Sequence, residues 1–334
     1  MKKSFIAVQT IAVSVLTALP LVVSAAFSDV PQTSALFPAT EHLKSQGIIQ
    51  DAVTFNPDGQ LTRAQAAKVL VAPLVSAEEL AKITTSQFSD VPAGQWFTSY
   101  VEAARVMGLV DSVPSFNPNA PVSKAAFLKM ILKSKQLDYT SAFSDLKQPL
   151  SSDVQSTADW FHPIMRFALA SSMTAVSQEG LLNPHQQITR GQMALLYYRL
   201  DMYIAGRRTQ ALLSQAETDI GNVLQMLEAK DMQQAEWASA RAVIASRGAL
   251  ASKPNEPIVK GAMKISEGFQ ALVIGYRAGI EGNLDLAIAA SKEAYASADK
   301  AKAFSPGLAT IASQMQAIAK NMADEARKLQ AQAQ

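Results

Sequence analysis

The sequence predicts an all-α protein built in two unlike parts, and three observations carry that expectation. One phrase of turn, helix cap and apolar helix returns three times in register before residue 201. The remainder is dense in alanine, the best helix former, and sparse in aromatic side chains. Cysteine is absent, so neither part can lean on disulfides, and thiol catalysis and thiolate metal sites are excluded. The 334 residues suit roughly two domains of about 150 each, and a hydrophobic content of 49% is enough to build their cores.

In chain order the first element is an export signal. Met1-Lys2-Lys3 is a basic start, residues 5–23 are almost wholly apolar, and Val23-Ser24-Ala25 offers small residues for cleavage. Residues 1–25 are therefore expected to be removed as a signal peptide. The alternative is a retained anchor, against which stand Thr10, Ser14, Thr17 and Pro20 inside the apolar stretch. No cysteine follows for a lipid, and no later segment approaches the roughly 18 apolar residues of a spanning helix. Removing Lys2 and Lys3 leaves 28 basic against 28 acidic side chains, and residues 201–334 hold 15 against 14. No concentrated positive face for nucleic acid is expected from such a balance.

Three units follow, placed at 26–87, 88–142 and 143–201. The string FSDVP stands at Phe27–Pro31 and again at Phe88–Pro92, with a weaker copy, FSDL, at Phe143–Leu146. Their second halves read TFNPDGQLTRAQ from Thr54, SFNPNAPVSKAA from Ser115 and LLNPHQQITRGQ from Leu181. Asn-Pro marks a turn. Thr62, Ser123 and Thr189 then stand as N-caps, with Gln65 and Gln192 three places on as in a capping box. An apolar helical pattern follows each cap. The first half of each unit also reads as a helix, with Gly47 and Gly108 at its C-terminal turn and Ser172 in the third copy. One such unit could not bury its apolar face alone.

These residues carry a resemblance. The pattern SDV…W…G(I/L)…FNP…(T/S)RA is similar to that of the S-layer homology family, over about residues 27–200. The resemblance implies three helix-turn-helix units arranged as a pseudo-threefold trimer around a central bundle. It also implies grooves between units that hold a cell-wall polysaccharide, often one with ketal-linked pyruvate.

The residues give that chemistry independent support. Arg63 and Arg190, with Lys124 in the second copy, stand in the first helical turn. There a cation adds donors to free backbone N–H groups and the positive helix end, a combination suited to a carboxylate. The plainer reading of such a residue is a solvated surface charge. Trp96 and Trp160 offer a flat indole and an N–H to a sugar, or else pack between units. The expected glycan site is thus Arg63, Arg190, Lys124, Trp96 and Trp160 beside Thr62, Ser123 and Thr189. Asp29, Asp90 and Asp145 are expected to fix the opening turns. The copies are unequal: the second lacks the arginine, the first has Leu36-Phe37 for Trp-Phe, and the third carries an insertion ahead of Trp160. One or two working grooves are expected.

Residues 202–334 form the second part, with helices expected at about 203–229, 231–247, 257–281, 284–302 and 307–331 and a break from Gly248 to Pro257. The segment around Gly282-Asn283, Ala287, Ala294 and Pro306 resembles a tetratricopeptide unit. Only two imperfect units are visible, so an antiparallel helical bundle is the default. A protein partner is expected for these helices.

Enzyme signatures are missing. His42, His162 and His185 are scattered, and no H-E-x-x-H, G-x-S-x-G or phosphate-cradling glycine loop occurs. No catalytic residue, metal or cofactor is expected. The reading is a secreted protein at the cell surface, anchored without a covalent link through an acidic, pyruvylated secondary cell-wall polysaccharide or a peptidoglycan-linked glycan. The alternatives are a self-assembling surface-layer or envelope protein and a helical interaction adaptor.

Overall fold

The computed structural model describes residues 27–333; the expected signal peptide lies outside them. Each of the first three units supplies two main helices. They are α1 (Phe37–Ser45) and α2 (Arg63–Val71), then, after the short α3 (Ala77–Ala81), α4 (Thr98–Val106) and α5 (Lys124–Ser134), then α6 (His162–Ala170) and α7 (Arg190–Ile204). Among the described residues the only β pairing is a few isolated bridges.

The local chemistry read from the repeat forms these helices. Thr62 and Thr189 close full capping boxes with Gln65 and Gln192, and Ser123 caps α5 alone. Asn56, Asn117 and Asn183 adopt φ of 56°, 58° and 53° ahead of their prolines, a left-handed conformation that asparagine tolerates better than most side chains. The turns after α1 and α4 use Gly47 and Gly108 at positive φ, and Ser172 takes the same conformation after α6 at φ 54°.

The three units close into a ring. Three bonds near the pseudo-threefold axis run head to tail: Leu61 N–H to Ile188 carbonyl, Ile188 N–H to Val122 carbonyl, and Val122 N–H to Leu61 carbonyl, each 3.0 Å. The capped helices α2, α5 and α7 form the centre, and each packs on the first helix of the next unit: α2 on α4, α5 on α6, α7 on α1. One continuous core runs through all three units, with Phe55, Phe116, Phe127, Leu61 and Ile131 almost wholly buried. That answers why a single unit would not suffice, since each helix finds its apolar partner in a neighbour.

The second part is an antiparallel run of α8 (Thr209–Glu228), α9 (Met232–Ser252), α10 (Pro257–Ile280), α11 (Leu284–Phe304) and α12 (Ala309–Ala333). Consecutive helices pack together, and α10 also touches α8 and α12. The core is alanine-lined and close, with Gly268 and Gly275 on α10 leaving room for Met315 and Met322. Two expectations need correction. The chain breaks at Gly206, φ 68°, so the helix expected from 203 begins at Thr209. Gly248 does not end α9, because it faces the end of α6. A methyl group there would sit 1.8 Å from the Ala170 carbonyl oxygen, so only glycine permits this contact.

That contact docks the second part on the third unit. Val243 and Ile244 of α9 join the repeat core. Arg241, almost fully buried, donates to the Leu150 carbonyl at 2.9 Å and pairs with Asp219 on α8. Arg247 pairs with Asp145. Among the described residues no helix is long and apolar enough to cross a membrane.

Candidate functional site

The cation after each cap crosses to the next unit. Arg63 Nε donates to the Phe116 carbonyl at 2.7 Å, and its guanidinium lies 4.7 Å from the Phe116 ring centre. Arg190 makes the same pair of contacts with Phe55, at 2.8 Å and 4.9 Å. Lys124 Nζ donates to the Leu182 carbonyl at 2.8 Å. The order is cyclic: unit one reaches two, two reaches three, three reaches one. Burial holds all three cations below their ordinary pKa range, opposed for the arginines by Asp90 and Asp111 or by Asp29, and for Lys124 by Asp153. In both arginines the outer Nη groups have no hydrogen-bond partner among the described residues.

Two grooves result, each assembled from all three units. The Arg190 groove is a cavity of about 330 Å³ lined by Arg190, Phe55, Lys68, Gln65, Gln50 and Trp96. The Arg63 groove, about 450 Å³, holds Arg63, Lys129, Asp111, Met130 and Trp160. Volumes of this size suit one or two sugar rings. Trp96 and Trp160 are about half exposed, at 53% and 51%, so each keeps an open indole face rather than serving as buried packing. An ammonium stands near each ring: Lys68 over Trp96 and Lys129 over Trp160, both at 5.7 Å.

The grooves differ in charge. Lys129 Nζ donates to both carboxylate oxygens of Asp111, at 3.0 and 2.9 Å. The Lys129 bond holds the Asp111 carboxyl below its ordinary range. The matching position in the Arg190 groove is Gln50, and among the described residues no carboxylate pairs with Lys68.

The third interface carries little of this chemistry. Leu36 takes the tryptophan position, Leu195 the second lysine position and Leu182 the phenylalanine position. Lys124 is left as the only cation of the repeated set.

Three expectations about the site change. The backbone N–H groups of the first helical turn are not free. Arg63 and Ala64 donate theirs to the Ala120 and Pro118 carbonyls, Lys124 and Ala125 to Gln186 and Pro184, and Arg190 and Gly191 to Gly59 and Pro57, all within 2.8–3.0 Å. These N–H groups join the units and leave no donors for a ligand, so the side chains alone remain. Thr62, Ser123 and Thr189 accept the third N–H of their helices, so capping takes one acceptor position and each hydroxyl keeps its O–H as a donor. The opening-turn role falls to Asp29, Asp90 and Asp153, not Asp145. Asp153 accepts from Leu182 N–H and Asn183 N–H at 2.9 and 2.6 Å, as Asp29 does from Phe55 and Asn56. Burial pushes the Asp29 carboxyl up, but those two amide bonds outweigh it and hold it below the ordinary range. Asp145 lies at the junction with α9, and the segment expected to be an insertion contains the true third opening phrase, Ser152-Asp153-Val154.

Lys68, Lys129, Gln50 and Asp111 were missed in the sequence. The repeat register was the available signal: each lysine lies one helical turn and a residue beyond the arginine or lysine after the cap.

Comparison with known proteins agrees with this arrangement. Residues 26–67, 87–128 and 152–194 each match the S-layer homology domain, and the third match starts with the Asp153 phrase rather than at Phe143. The chain is 25% identical over 206 residues to the surface-layer 125 kDa protein of Lysinibacillus sphaericus. That alignment covers 59% of this chain and 17% of the relative, so the chain spans a small part of the relative's length.

Proposed function

Since the chain carries three tandem S-layer homology domains ahead of a helical module, we propose that it attaches to the cell wall by docking an acidic polysaccharide in the Arg190 and Arg63 grooves. S-layer homology domains indicate a cell-surface or wall location; the glycan and the working grooves are this proposal's own content. The observation that carries it is the Arg190 groove. Two cations that no carboxylate pairs with among the described residues, Arg190 and Lys68, share a cavity with the open face of Trp96. The indole takes the apolar face of a sugar ring, and the outer guanidinium nitrogens form a planar fork for a carboxylate such as a pyruvate ketal.

The test is co-sedimentation of the purified protein with cell walls, before and after the non-peptidoglycan polymer is stripped. Retention is expected on intact walls and loss on stripped ones. Equal retention on both would move the ligand to peptidoglycan itself.

A second reading concerns the helical module. Ile274, Tyr276, Ile280 and Leu329 expose large apolar surface on α10 and α12, a composition favoured at protein contacts. Self-assembly into an array would place copies of the chain there. Light scattering checks it: a strict monomer at high concentration argues against the array.

A further inference from the structure

A third cationic cleft lies outside the two grooves, where α8 crosses the turn after α6. Its cavity, about 400 Å³, is bounded on one side by Arg199, Ser172 and Thr174 and on the other by Arg208, Thr218 and Asn222. Arg199 Nη1 donates to the Met173 carbonyl at 2.9 Å. Arg208 Nη2 donates to the Ser172 carbonyl at 3.1 Å and to its hydroxyl at 2.7 Å. Neither arginine has a carboxylate partner among the described residues. Arg208 Nε is buried with no hydrogen-bond partner among the described residues, and a buried unpaired donor is costly to keep. Asp219 also borders the cleft, but its carboxylate is bound to Arg241 at 2.8–2.9 Å, so that pair cancels and the two arginines stand uncompensated.

Two further features point the same way. Ser172 sits at φ 54°, where the other units use Gly47 and Gly108 at 67° and 69°. A side chain at positive φ is disfavoured and tends to persist at functional sites. Here the hydroxyl that glycine lacks holds Arg208 in place. The face of α8 turned to the cleft is also polar. Ser214, Gln215, Thr218 and Asn222 recur at helical spacing along the cleft wall, Gln215 and Asn222 half-buried and Ser214 and Thr218 exposed at its mouth.

We propose that this cleft is an oxyanion-binding site, taking the phosphate or carboxylate group of a small hydroxylated ligand on Arg199 and Arg208, with the hydroxyl and amide side chains of α8 and Thr174 meeting the ligand's hydroxyls. Guanidinium forks match both oxyanions. The site owes nothing to the wall-docking grooves and stands or falls apart from them.

The test is calorimetric titration of the purified Arg63→Gln/Arg190→Gln protein, whose wall-docking grooves have lost their arginines, with inorganic phosphate and, separately, with glucuronate, against two further variants in that background. Arg199→Gln removes one fork and is expected to weaken binding about tenfold or more. Thr218→Glu, at an exposed position, supplies an internal carboxylate and is expected to abolish binding without lowering the melting temperature. Binding of phosphate alone, or of glucuronate alone, supports the site and identifies which oxyanion it takes. Absence of binding to both, or survival of binding in Thr218→Glu, overturns the proposal.

Discussion

In the Arg190 groove, Lys68 shares its cavity with Gln50; in the Arg63 groove, Lys129 at the same register is held by Asp111 at 2.9 Å. Nearly everything else matches: the arginine stacked on a phenylalanine, its Nε on a carbonyl, the half-exposed tryptophan at the rim. The cyclic hydrogen bonds fix where each side chain stands, and they are the same in both. What differs is a solvent-facing residue after the first helix of the unit, and that residue decides how much positive charge is left for a ligand. Among the described residues the Arg190 groove keeps two cations that no carboxylate bonds, the Arg63 groove one.

The largest expected effect comes from removing the arginine in each. Arg190→Gln deletes a charged hydrogen-bond donor and should weaken binding to isolated wall polymer about tenfold or more. Arg63→Gln should cost less, about two- to fivefold, because that groove contributes less to begin with. Isothermal titration of both variants checks this, with melting temperatures to confirm that the ring remains closed. Equal losses would mean that Asp111 does not weaken its groove.

This contrast bears on what the sequence made legible. The caps at Thr62, Ser123 and Thr189 were readable because capping acts over three residues. Arg63 and Arg190 were readable through the register of the repeat. That their helix ends are sealed was not, because Arg190 N–H meets Gly59 carbonyl across the whole ring. No local pattern announces such a bond. Asp153 was missed for a different reason: the letters FSDL at Phe143 match the opening phrase better than SSDV does. The spacing held the answer. Asp29 and Asp90 stand 27 residues before the asparagine amide they bind, and Asp153 stands 30 before Asn183, with Asp145 farther off. Gly248 read as a helix break on propensity alone, and a tertiary contact with α6 overrode it.

A gentler test exchanges the residue that sets the charge difference between the grooves. Asp111→Gln should release Lys129 and raise affinity at the Arg63 groove about two- to fivefold, while Gln50→Asp should lower affinity at the Arg190 groove by a similar factor. The gain should shrink at high salt, since it comes from an exposed charge. Folding should hardly respond: the Asp111 carboxylate is 64% exposed, and exposed pairs contribute about 0–1 kcal/mol. Titration at low and high ionic strength reads both directions. If both variants bind as the parent does, the charge difference between the grooves carries no weight in recognition.

The smallest expected effect is that of pH. Acid could in principle protonate Asp111, free Lys129 and make the two grooves alike. The sign of the shift places that change out of reach near neutrality. The Lys129 bond lowers the folded-state pKa of Asp111 below its ordinary 3.8. The pairing is therefore complete above the unfolded value and is lost only as pH falls through the lower folded one. Between pH 7 and 5 the ratio of affinities of Arg190→Gln and Arg63→Gln, measured by titration at each pH, should stay flat. A ratio that drifts toward one as pH falls from 7 to 5 would mean that Asp111 takes up a proton far above the range its lysine partner enforces, and the groove contrast would then depend on conditions rather than on the fixed identity of Gln50 and Asp111.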